Sequence, residues 1–121
     1  MPPEALKLLV DIQKALAEIM NFTAGMDFAD YQLNAMCRAA VERKFEIIGE
    51  PCTRLRDRFP EKSPLVPGAY QIIGFRNRII HGYDNVDDAI VWDIVSRKLP
   101  LLATQVESLI DSCCCPSSVR C

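Results

Sequence analysis

The chain has 121 residues, half of them hydrophobic, and a formal net charge of −2. That length fits one domain with a single packed core, and a second is not expected. The near-neutral balance excludes general adhesion to nucleic acid, and charged side chains interrupt every apolar segment before the roughly 18 uncharged residues of a membrane span are reached.

The opening residues, MPPEALKLLVDIQKALAEIM, carry acids and lysines every few positions where an export signal would be uniformly apolar, so a cytoplasmic protein is expected. From Glu4 to about Phe22 the set Leu9, Ile12, Leu16 and Ile19 advances by three and four, which lays one stripe along a helix. Ala24 and Gly25 mark its end. A second periodic segment runs from about Phe28 to Phe59 and returns Leu33, Cys37, Ala40, Ile47 or Ile48, Cys52, Leu55 and Phe59 to one face. Inside it, Pro51 removes a backbone donor and crowds the preceding turn, so a bend is expected near Glu50, where the helix can divide.

Residues 60–68, PEKSPLVPG, read as a stiff loop. A third helix is expected from about Ala69 to His81, with Ile72 or Ile73, Phe75, Ile79 and Ile80 as its apolar positions and Gly82 just past its end. Asn85-Val86-Asp87-Asp88 reads as a cap followed by acids, opening a fourth helix with Ile90, Val91, Ile94 and Val95. Pro100 then restarts it and places Leu102, Val106 and Leu109 on the core side as far as about Ser112. With no strand-like alternation and no repeat, the fold is expected to be all-α, with a helical domain over residues 1–112 and a cysteine-rich tail over 113–121.

Six cysteines could suggest a disulfide framework, yet Cys113, Cys114, Cys115 and Cys121 crowd the tail while Cys37 and Cys52 lie in helical sequence. Reduced thiols fit this spacing better, and neither paired Cys-x-x-Cys nor Cys/His spacing for zinc is present; no metal or other cofactor is expected. Between Arg54 and Arg78 six Lys/Arg stand against two acids, which predicts a local basic surface.

The single histidine, His81, stands in the run Arg76-Asn77-Arg78-Ile79-Ile80-His81-Gly82-Tyr83. Asn77 and His81 are four apart and so share a helix face, where the amide can orient the imidazole. Cleaving RNA without a metal requires removing the 2′-hydroxyl proton, protonating the leaving 5′-oxygen and stabilising the charge on the phosphorane, a task suited to the forked donors of arginine. One histidine is poorly placed for all the proton work, whereas a two-fold dimer pairing two copies of this helix end would supply two imidazoles and up to four guanidinium groups to one phosphate groove. Taken singly, each residue also has a plain structural reading: His81 as a helix cap, Arg76 and Arg78 as a solvated basic face, Tyr83 as a packed aromatic.

The full run RNRIIHGY resembles the Arg-x4-His-x-Tyr motif of HepT, the toxin of HEPN/MNT toxin-antitoxin pairs. FEIIGE, GFRNRIIHGYDNVD and IVWDIVSRKLPLL extend the likeness, in order and spacing, from about Leu8 to Ile110. This resemblance implies a four-to-five-helix up-and-down HEPN bundle, dimerising at the motif helices, and a metal-independent endoribonuclease acting on tRNA or mRNA, with Arg76 and His81 catalytic and Asn77 and Arg78 supporting RNA binding. It further implies a minimal nucleotidyltransferase antitoxin that attaches AMP to a tyrosine beside the active site. Tyr83 matches that position, although some relatives carry the tyrosine inside the x4 segment, where this chain has Arg78. Two departures are Pro51 and the cysteine-rich tail. The competing expectations are a catalytically silent module that holds nucleotide or partner in the same groove, and a structural dimerisation bundle whose arginines pair with acids such as Glu46 or Glu50.

Overall fold

In a computed structural model of the chain, residues 3–59, 74 and 87–114 are described, with side chains as far as 112. Among these residues every regular element is helical: α1 (Pro3–Phe22), α2 (Phe28–Leu33), α3 (Ala35–Arg58), α4 (Asp88–Asp93), a π-helical turn (Ile94–Lys98) and α5 (Leu99–Cys114). No helix among them is long and apolar enough to cross a membrane.

The apolar stripe read along α1 is its buried face: Leu9, Ile12, Leu16 and Ile19 are fully enclosed, joined by Ala5, Leu8 and Ala15. Burying each large aliphatic side chain contributes roughly 1.5–3 kcal/mol relative to leaving it in water, so this stripe anchors the helix. Gly25, at φ +76°, turns the chain after α1, a left-handed conformation that glycine adopts without a Cβ clash.

The second periodic segment divides, but at Asn34 and not near Glu50. Asp27 and Asp30 open α2 with reciprocal side-chain to backbone hydrogen bonds of 2.8 and 3.2 Å. Asn34 then ends α2 and starts α3, its side-chain oxygen accepting the Cys37 amide at 3.0 Å while its own backbone is extended. The break swings Leu33 off the core face, leaving it 86% exposed beside Met36 at 85%. Beyond it Cys37, Val41, Phe45, Ile48, Cys52 and Leu55 form the buried stripe of α3. Pro51 sits inside this one continuous helix. The proline leaves the Ile47 carbonyl without its usual amide, on a turn that borders an open groove between α1 and α3, where solvent can serve that carbonyl.

Ion pairs Arg58–Glu4 and Lys44–Glu18 match the end of α3 to the start of α1 and an earlier turn of α3 to a later turn of α1, so the two helices run antiparallel. The final helical stretch packs on α1 through Leu99, Leu102 and Val106, extending the core begun by Val91, Ile94 and Val95 in α4 and the π turn. Pro100 does not interrupt this stretch. The Leu99 amide donates to the Ile94 carbonyl five residues back, and the wider turn gives the pyrrolidine ring room against the preceding carbonyl.

Both described cysteines are buried free thiols. Cys37 Sγ lies 3.5 Å from the Phe22 carbonyl oxygen and 3.8 Å from Met26 Sδ, and burial pushes the Cys52 thiol up to about 12.

Candidate functional site

The residues singled out by the sequence, Arg76, Asn77, Arg78, His81 and Tyr83, lie outside the described residues, as do the loop expected at 60–68 and, except for Gly74, the helix expected from Ala69 to His81. Gly74 itself is helical and exposed, with open space where a Cβ would stand. What the described residues define is the frame on either side of the run.

The upstream side is the end of α3. Here the expected basic surface is partly offset by acids: Arg54 pairs with Glu50 at 3.1 Å, Arg56 with Asp57 at 2.9 Å, and Arg58 with Glu4. Exposed pairs of this kind contribute little to stability, but each places an anion beside a cation that could otherwise meet phosphate. Glu46, for its part, pairs with Arg43 at 3.3 Å.

Downstream, the chain returns at Asp87, whose carboxylate accepts the Ala89 amide at 2.9 Å and caps α4. The cap therefore falls two residues later than a reading from Asn85 suggests. Asp88 follows in the first turn, 3.8 Å from Arg38 near the start of α3. The chain thus leaves α3 at Phe59 and comes back beside Arg38, roughly 30 Å away at about 1.5 Å rise per helical residue.

Around the point of return, α2, α3 and α4 bring together a polar cluster that the sequence reading misses. Tyr31 is fully buried, its ring 5.3 Å from that of Trp92 at a 35° tilt, and its hydroxyl has no hydrogen-bond partner among the described residues. Burial, reinforced by the charges of Glu42 and Asp88, raises the phenol above its ordinary value. Glu42 is likewise raised, first by burial and then by Asp88, with Arg38 pulling the other way. Arg38 also donates from Nη1 to the Gln32 carbonyl at the end of α2. No local pattern could have signalled these contacts, since Arg38 and Asp88 meet only because three helices converge.

Among the described residues every regular element is helical, and the chain's one histidine stands in an Arg-x4-His-x-Tyr run. A family model described as "Ribonuclease HepT-like" matches residues 12–109, and the chain belongs to that family. It is 36% identical over 99 residues to a Methanocaldococcus jannaschii protein named "Putative RNase MJ1380", covering 82% of this chain and 90% of the relative. A second protein of that organism, "Putative RNase MJ0125", is 32% identical over 91% of this chain and 95% of its own length. "Probable ribonuclease HepT" of Thermococcus cleftensis is 32% identical over 84% of this chain and 91% of its own. No solved structure matches it significantly.

Proposed function

We propose that this ribonuclease is the toxin of a toxin-antitoxin pair, a metal-independent endoribonuclease that cleaves tRNA or mRNA at a site shared by two subunits. The observation that carries this reading is the chain's only histidine, His81, standing in RNRIIHGY within the span that the family match covers. His81 moves the protons, Arg76 stabilises the charge on the phosphorane, and Asn77 and Arg78 hold the imidazole and the RNA backbone. Pairing two motif helices across a two-fold axis doubles the imidazoles available, so that one subunit's histidine takes the 2′-hydroxyl proton while the other protonates the 5′-oxygen.

Neutralisation by a minimal nucleotidyltransferase antitoxin completes the proposal, with Tyr83 as the AMP acceptor. An adenylyl group there adds a bulky anion where an RNA phosphate docks, and blocks the groove by size and by like-charge repulsion. The test is expression without partner. Wild type is expected to arrest growth and to cleave RNA in the presence of a chelator, while His81→Ala does neither. Equal growth of the two strains, with intact RNA in both, favours a silent binding module instead.

A further inference from the structure

We propose that Arg38 is a positioning residue for the ribonuclease reaction, fixing, through Asp88, the point at which the chain that carries Arg76 and His81 re-enters the helical core. The inference rests on the reading of RNRIIHGY given above.

Arg38 belongs to α3 but reaches two other elements. Its Nε lies 3.8 Å from the Asp88 carboxylate in the first turn of α4, and its Nη1 donates to the Gln32 carbonyl at the end of α2. A carbonyl in a helix's last turn lacks an amide partner within the helix, so the guanidinium fork supplies a donor to one element and a countercharge to another. Lysine, a point charge on a flexible stem, cannot hold both partners in one geometry. The Arg38 and Asp88 side chains are only 28% and 27% exposed, so solvent screens this pair less than the surface pairs along α3.

The pair also differs in what it joins. Lys44–Glu18 and Arg58–Glu4 tie α3 to α1, and Arg54–Glu50 and Arg43–Glu46 stay within α3. Arg38–Asp88 ties α3 to α4, one residue past the Asp87 cap and five past Tyr83. Next to it, the Tyr31 and Trp92 rings clamp α2 to α4. The start of α4 is thus held by a charge and a cap, and its last turn by a ring contact. Phosphoryl chemistry depends steeply on placement, and a shift of about 1 Å in a reacting group can cost up to about a hundredfold in rate.

The test is steady-state cleavage of a defined RNA by wild type, Arg38→Gln, Asp88→Asn, the double variant and Arg38→Lys, with thermal melts of each. Arg38→Gln and Asp88→Asn are each expected to lower kcat about tenfold and leave KM within about twofold, because the loss is of placement and not of RNA affinity. The double variant should fall no further than either single one, since all three cut the same link. Arg38→Lys keeps the charge toward Asp88 and should recover part of the loss. Full kcat in Arg38→Gln, losses that multiply in the double variant, or losses that vanish when each protein is assayed well below its Tm would overturn the role of Arg38. His81→Ala is run alongside. A wild type inactive on RNA, or a fully active His81→Ala, overturns the reading of the motif and this inference with it, whereas His81-dependent cleavage with full kcat in Arg38→Gln overturns this inference alone.

Discussion

Glu42 is held in α3 beside Asp88 and Glu46, and burial together with these two carboxylates raises its affinity for a proton, while Arg38 only partly offsets them. A carboxyl whose pKa is higher in the native state binds its proton more tightly there than in the unfolded chain, so its ionisation works against folding as pH rises from its ordinary value of 4.5 through the raised one. The penalty is absent in acid and grows as pH rises through that window. Glu42→Gln, which keeps the shape and removes the charge, is therefore expected to raise Tm at pH 7 and to lose that advantage as pH falls toward 4.5. Melting curves across this range check it, and an advantage that is constant with pH would assign the effect to packing instead of ionisation.

At the scale of the element, the joint between α2 and α3 carries the clearest expectation. Asn34 serves both helices, so Asn34→Ala should cost about 1 kcal/mol, while Asn34→Asp, which keeps an accepting oxygen for the Cys37 amide, should cost much less. Denaturant unfolding of the two variants measures the difference. This joint also marks where sequence pattern runs out. Periodicity finds the stripe of α1 and most of α3, because Leu9, Ile12, Leu16 and Ile19, like Cys37, Ile48, Cys52 and Leu55, face one core. Leu33 fits the same period but is carried outward, since one asparagine side chain competes successfully with the helical ladder. Pro51 and Pro100 err in the other direction: local rules treat proline as a stop, whereas the packing of α3 and α5 keeps each helix continuous, the second by means of a π turn. As for the site, the reading of RNRIIHGY rests on its likeness to the Arg-x4-His-x-Tyr motif, since an arginine five residues before a histidine has, taken alone, a plain structural reading, and the run lies outside the described residues. The Arg38–Asp88 contact spans fifty residues of sequence and is visible only after folding.

At the scale of the molecule, the described residues form one continuous core from α1, α2, α3, α4, the π turn and α5, which encloses both Cys37 and Cys52. A thiol that must be uncovered and deprotonated before it reacts is modified only as fast as the fold opens. Of the six cysteines, at most four are therefore expected to react promptly with an aromatic disulfide reagent at neutral pH, and the remaining two only in denaturant. Counting released chromophore before and after denaturation checks the number. Prompt modification of all six would contradict the burial of this pair. The two enclosed sulfurs thereby act as an intrinsic clock for opening of the native state. Timed alkylation followed by mass measurement would report how often the core breathes, with no label or substitution introduced.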